Sequence, residues 1–316
     1  MSRIKIFKYI AMPCIAILMI CLAAGFYMLS YALTPLHRGL NIEKSYTEMY
    51  QNYPFLENWV DSLNHVSALK DTTLINTEGK KLHAFYIDAP KPTNKTAVIV
   101  HGYTDNAIRM FMIGYLYNKD LEYNILLPDL QFHGLSEGKA IQMGWKDRLD
   151  IQEWINLSIN KYGTETEIVV HGISMGAATT MMLSGEQLPQ QVKCFVEDCG
   201  YTSVWDEFSQ ELKVRFGLPS FPIMHITSWL CQQKYGWNFE EASALNAVKR
   251  CELPMLFIHG DADTFVPTWM VHPLYEAKPE PKELWIVPEV EHAESYLKAK
   301  KEYTRRVTNF VSLYLN

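Results

Sequence analysis

Ser174 stands in Gly172-Ile-Ser-Met-Gly176, directly after the apolar run 168–170 and just before the small residues Ala177 and Ala178. A sharp strand-to-helix turn strains the serine backbone and projects its hydroxyl above a sheet. The residues two away on either side must then lack bulk, as Gly172 and Gly176 do. A serine at its free pKa is a poor nucleophile; it needs a base, and the base needs a carboxylate to orient it. Asp263 lies in the loop His259-Gly-Asp-Ala-Asp-Thr-Phe-Val-Pro267, which leaves the apolar run 255–258, and His292 follows the last such run. The order Ser, acid, His is that of nucleophile-elbow sites. Asp198 and Asp261 are rival acids. His101 and His171, at strand ends before glycine, and His133, in a turn, are rival bases less well placed. A tetrahedral intermediate also needs backbone N–H donors for its oxyanion. Met175, next to the serine, is one candidate, and Tyr103, in the turn after residues 98–100, is the other. No Cys/His spacing fits zinc, and this chemistry calls for no cofactor and no metal.

These residues act together only if a scaffold delivers them to one edge. Short apolar runs without alternation at 97–100, 125–127, 168–170, 194–196, 255–258 and 284–287 suit strands buried on both faces, as in a parallel sheet. A hairpin precedes them, with runs 72–76 and 82–87 about a turn at Glu78-Gly79. Helical stripes separate the runs: Ile151, Trp154, Ile155, Ile159 and Tyr162 before Gly163, and Tyr296, Tyr303, Val307, Phe310, Val311 and Tyr314 at the end. Alternation over roughly 220 residues means an α/β fold with a mainly parallel sheet. Residues 201–250 break the rhythm. They hold no convincing strand, and Asn238-Phe-Glu-Glu241 reads as a helix start with a capping box. A mostly helical insertion here caps the carboxyl edge, where open α/β sheets bind ligands. Nine of the 39 residues at 201–239 are aromatic, against 13% for the chain. They either line a site for an acyl chain or aromatic ester or pack the cap on the body.

The amino end is of another kind. Residues 9–36 carry no charge, a run longer than the about 20 residues a membrane-crossing helix needs. Arg3, Lys5 and Lys8 precede it, which puts the N-terminus in the cytoplasm and the body outside. A cleaved signal peptide is the competing reading, because Ser30-Tyr-Ala32 has the spacing of a cleavage site. The apolar run is long for such a peptide, so an uncleaved anchor over 1–36 is expected. A helical connector broken at Pro54 spans 37–66, and the α/β body spans 67–316; a chain starting near residue 37 should be soluble. The net charge of −6 includes those three basic residues, so the body is more acidic still, which argues against nucleic-acid binding. Among the six cysteines, Cys194 and Cys199 fall on opposite faces of one strand about 16 Å apart, too far to bridge. Cys231 and Cys251 could pair in an oxidising compartment.

His-Gly-Tyr-Thr-Asp at 101–105, Asp129-Leu-Gln-Phe-His-Gly-Leu-Ser-Glu-Gly138, Gly172–Gly176, His259–Pro267 and His292 together resemble the α/β-hydrolase superfamily. Within it the chain is similar to a bacterial branch of serine aminopeptidase-like and monoacylglycerol-lipase-like enzymes, over about residues 68–316. The resemblance implies an α/β-hydrolase fold and a triad of Ser174, Asp263 and His292. It implies a serine hydrolase, with a small-molecule or lipid-like acyl ester as the expected substrate and a membrane-anchored peptidase as the alternative. A noncatalytic binding protein on the same scaffold is a third reading, disfavoured by the intact triad positions. In that branch Arg usually stands where this chain has Phe132.

Overall fold

The computed structural model describes residues 3–315, with side chains from Ala11 onward. The side chains of Arg3, Lys5 and Lys8, on which the expected orientation rests, lie outside the described residues. Three helices lead in: α1 (Arg3–Leu33), α2 (Ile42–Asn52) and α3 (Phe55–His65). Pro54 divides the last two, since a proline lacks the N–H that a continuing helix would use.

Eight strands follow: β1 (Leu69–Ile75), β2 (Lys81–Ile87), β3 (Lys95–Val100), β4 (Asn124–Pro128), β5 (Glu167–Ile173), β6 (Val192–Asp198), β7 (Met255–Gly260) and β8 (Lys282–Val287). They form one sheet in the order β1-β2-β4-β3-β5-β6-β7-β8. Only β2 makes antiparallel contacts, with β1 and β4; every other pairing is parallel. Along β3, Val98 and Val100 join one core while Ala97 and Ile99 join the other. Both faces are covered, which is why these runs show no polar alternation. The helices α4 (Phe111–Tyr115), α5 (Asp147–Tyr162), α6 (Met175–Leu183), α7 (Val204–Phe216), α8 (Ile223–Tyr235), α9 (Ala244–Val248), α10 (Val271–Ala277) and α11 (Ser295–Ser312) complete the chain.

The insertion between β6 and β7 is helical, formed by α7 to α9, with one isolated bridge between Ser203 and Ser243. One expectation is corrected there. The capping box at Asn238 forms reciprocally: Asn238 N–H donates to Glu241 Oε1 at 2.8 Å, and Glu241 N–H donates to Asn238 Oδ1 at 2.9 Å. No helix follows it. Ser243 is drawn into the bridge with Ser203 and itself caps α9, accepting from Asn246 N–H at 3.1 Å, so the chain makes a single turn first. Cys231 and Cys251, whose pairing the sequence leaves open, are separate buried free thiols.

Residues Ala11–Leu33 are long and apolar enough to cross a membrane. The helix is exposed over residues 12–20, but from Gly25 every fourth residue turns inward, so Gly25, Leu29 and Leu33 are buried. A Cβ at Gly25 would lie 2.7 Å from Ile226 Cγ2, so glycine is what allows α1 to seat against α8. The Leu33 carbonyl accepts Ile141 N–H at 2.8 Å, and the Ala32 carbonyl accepts the Tyr103 hydroxyl at 2.7 Å. A chain starting at residue 37 therefore loses part of the core. Two buried leucines are worth about 3–6 kcal/mol, a large share of the stability of a typical domain. Thermal unfolding should show this chain markedly less stable and prone to aggregation beside one starting near residue 22. Equal midpoints would mean that the docked turns contribute nothing.

Candidate active site

At the end of β5 the chain turns abruptly into α6, and Ser174 takes the turn with φ 58° and ψ −121°. Its neighbours must be glycine for a measurable reason. A Cβ on Gly172 would lie 2.1 Å from the Gly176 carbonyl oxygen, and one on Gly176 would lie 2.1 Å from the Val100 carbonyl oxygen. Ser174 N–H donates to the Asp198 carbonyl at 2.8 Å, tying the turn to the end of β6.

The loops after β7 and β8 converge on this serine. Ser174 Oγ lies 2.8 Å from His292 Nε2, and His292 Nδ1 lies 2.7 Å from Asp263 Oδ2. The other oxygen, Oδ1, accepts the N–H groups of Phe265 and Val266, both at 3.0 Å, so backbone fixes the carboxylate's orientation. Burial pushes the Asp263 carboxyl up, but hydrogen bonds and charge from His259 and His292 outweigh it, leaving Asp263 below the ordinary carboxylate value. An ionised carboxylate in that place could stabilise an imidazolium. The Phe265 ring rests 4.9 Å from the His292 ring and holds it from the side. The Cys199 thiol is in the same cluster, within 4.8 Å of Asp263 and His292, but burial raises it well above the ordinary thiol value, so it is no competing nucleophile.

The rivals are accounted for elsewhere. Asp198 is buried and accepts the Ser295 hydroxyl at 3.0 Å, and burial pushes its carboxyl up to about 6. Asp261 accepts Glu289 N–H at 2.6 Å. His171 lies between the Tyr117 and Tyr303 hydroxyls, and burial lowers it to about 3. His101 accepts Leu130 N–H at 2.9 Å and His133 accepts Thr104 N–H at 3.2 Å; the two imidazoles clamp the 101–104 turn to the 129–134 loop. Burial lowers both below the ordinary histidine value. That clamp sets the position of Tyr103. Among the described residues the N–H groups of Tyr103 and Met175 have no protein acceptor, and both residues border the same cavity as Ser174. Phe132, the departure from the usual arginine, stacks under an arginine from far away in sequence. The Arg38 guanidinium lies 3.6 Å from its ring centroid and donates to its carbonyl at 3.1 Å.

The cavity above Ser174 encloses about 770 Å³. Tyr201, Phe208, Phe216 and Phe239 supply aromatic lining from the cap. Trp237 is instead buried and donates to Gln142 Oε1 at 3.0 Å, while Phe221 and Trp229 face outward. The cap aromatics thus divide between lining and packing. Two features escaped sequence reasoning. One wall of the cavity is α1 itself, through Tyr27, Met28 and Tyr31. Glu207 on α7 also lines it, 3% exposed, with Oε2 lacking a partner. Burial first, then the charges of Glu211 and Asp263, raise Glu207 well above the ordinary carboxyl value. In sequence it reads as one of two acids suiting the first turn of a helix capped by Ser203.

The sheet order, the strained serine and the converging loops define an α/β-hydrolase. Comparisons with known proteins agree. The model of the prolyl oligopeptidase family matches residues 131–316. The Bacillus subtilis protein YqkD is 32% identical over 226 residues, 72% of this chain and 74% of its own length. A Saccharomyces cerevisiae protein named as a membrane protein, YNL320W, is 25% identical over 240 residues, 73% of this chain and 78% of its own. Among solved structures, an esterase of Pyrococcus furiosus superposes with a TM-score of 0.65 at 25% identity, covering 80% of this chain and 96% of that one. The chain belongs to the prolyl oligopeptidase family within the α/β-hydrolases, and it is a hydrolase.

Proposed function

We propose that this protein cleaves carboxylic esters through an acyl-enzyme on Ser174, held at a membrane by its N-terminal helix with the body outside the cytoplasm. The observation that carries the reading is the relay of 2.8 and 2.7 Å from Ser174 through His292 to Asp263 beneath an apolar cavity. Ser174 Oγ attacks the ester carbonyl as His292 Nε2 takes its proton. The N–H groups of Tyr103 and Met175 receive the oxyanion. His292 returns the proton to the leaving alkoxide, and the alcohol departs. Water, deprotonated by His292, then attacks the acyl-enzyme, and the carboxylic acid leaves with Ser174 regenerated. Resemblance to an esterase supports the ester preference. The membrane reading draws on the apolar span and on the yeast relative's name. Cleavage after Ala32 would strip Leu29 from the core and Tyr31 from the cavity wall, which favours an uncleaved anchor.

A second reading, an aminopeptidase-type serine peptidase, has one observation in its favour. Glu207, whose Oε2 lacks a partner, lines the cavity and could ionise against a substrate ammonium. A panel of acyl esters and aminoacyl amides separates the two. We expect wild-type protein to turn over esters with kcat/KM at least about 100-fold above amides, and Glu207→Gln, which keeps a neutral hydrogen-bonding group, to preserve that order. Efficient amide cleavage lost in Glu207→Gln would establish the peptidase instead.

A further inference from the structure

The cavity over Ser174 is not closed by the α/β body alone. Tyr27, Met28 and Tyr31 of α1 form a wall facing α7 and α8, and the Tyr103 hydroxyl, on the turn beside the serine, bonds to the Ala32 carbonyl at 2.7 Å. The helix that suits a bilayer and the wall that meets the substrate are one continuous element, Arg3–Leu33. Its upstream part is exposed and apolar at Ile15, Ile17, Leu18, Met19 and Ile20, and the next turns are docked. Only 16 uncharged residues, 9–24, precede Gly25, fewer than the about 20 that cross the hydrocarbon core, so the first docked turns and the cap against them lie at the membrane surface.

The cap's outer surface fits that placement. On α8, Ile226 and Leu230 take α1, while Phe221, just before the helix, and Trp229 on it stay 72% and 54% exposed. At the end of α7, Val214, Phe216 and Leu218 are exposed as well, and the Phe216 ring meets Tyr31 of α1 edge-on at 5.6 Å. Exposed Lys213 and Arg215 flank them. Large apolar and aromatic side chains interspersed with basic ones, next to an apolar span, match the composition of a membrane interface. A cluster of this kind on a water-facing surface would be a liability.

We propose that the cap rests on the bilayer in which α1 is embedded, and that the cavity takes bilayer-resident acyl esters, whose acyl chain passes between α1 and the cap to Ser174. This deepens the ester-hydrolase reading above and rests on it. The wall residues set which chain lengths fit, and the outward residues set whether a substrate held in the membrane can reach the cavity.

The test uses the full chain reconstituted in phosphatidylcholine vesicles, with two substrates measured side by side: a water-soluble acetyl ester and a long-chain fluorogenic ester dissolved in the same bilayer. The variants are Phe221→Ser with Trp229→Ser, outside the cavity, and Met28→Trp in its α1 wall. Stoichiometric labelling of Ser174 by a fluorophosphonate verifies that each is folded. We expect the outward pair to lower the ratio of bilayer-ester to soluble-ester turnover by about tenfold or more. Met28→Trp should lower kcat/KM for long-chain esters by about tenfold more than for acetyl esters. Wild-type ratios in both variants, with Ser174-dependent turnover of both esters, would overturn this proposal while leaving the ester-hydrolase reading intact. Failure of the wild type to cleave either ester would overturn both.

Discussion

Ser174→Ala should abolish covalent labelling by a fluorophosphonate and reduce ester turnover by roughly 10⁵- to 10⁶-fold, the scale on which removal of a serine nucleophile acts elsewhere. The expected loss is large because two nucleophilic groups on neighbouring elements are otherwise engaged. The cluster's thiol, Cys199, is held protonated by burial, and the other serine in the vicinity, Ser295, is committed to Asp198. Alanine is tolerated sterically at the elbow, although its φ remains strained, so the variant should fold. A membrane-impermeant probe extends the same experiment to orientation. Labelling of wild-type protein on intact spheroplasts, lost in Ser174→Ala, places the body outside the cytoplasm. Labelling that appears only after lysis would place it inside, and labelling that survives in Ser174→Ala would remove the serine from the chemistry.

Asp263→Asn should lower turnover by roughly 10⁴-fold, because an amide facing His292 Nδ1 can present N–H where an acceptor is required and stabilise the wrong tautomer. The carboxylate is buried and accepts two backbone N–H bonds through Oδ1, so the asparagine oxygen has reason to stay there and its amide nitrogen to face the imidazole. Asp198→Asn serves as the control. That carboxyl bonds Ser295 and sits beside the elbow through its backbone, so its loss should alter stability more than turnover. Near-normal turnover in folded Asp263→Asn, beside an inactive and folded Asp198→Asn, would reassign the acid. Circular dichroism and fluorophosphonate labelling together separate misfolding from loss of chemistry.

What could be read in advance, and what could not, follows from how far apart the interacting residues are in the chain. The eight strands and the elbow rest on local signals: apolar runs, a glycine on either side of a serine, and a loop motif after each late strand. Ser174, Asp263 and His292 were legible as a set because each follows its own strand to one sheet edge. The capping box at Asn238 was legible as hydrogen bonding but not as a helix, since the bridge from Ser203 to Ser243 overrode it. Glu207 occupies the first turn of α7, where an acid is commonplace, and only the packing of α7 over the cavity leaves its Oε2 without a partner. The α1 wall joins residues near 30 to residues near 220, and Arg38 reaches Phe132 across 94 positions. Nothing in the local pattern at either end announces such contacts.

The docking of α1 from Gly25 onward has a consequence for how this hydrolase could be re-engineered. Tyr103 is tied to Ala32, the loop beside it is propped by Arg38, and Leu33 is sewn to Ile141, so the lead-in segment behaves as a built-in part rather than a detachable tether. Exchanging α1 for another span of equal hydropathy would keep its apolar character yet remove Gly25, Leu29 and Leu33, the residues that seat the helix on the body. Chimeras should therefore be joined upstream of Gly25, where the helix is still free of the body, and not at the charge boundary near residue 37.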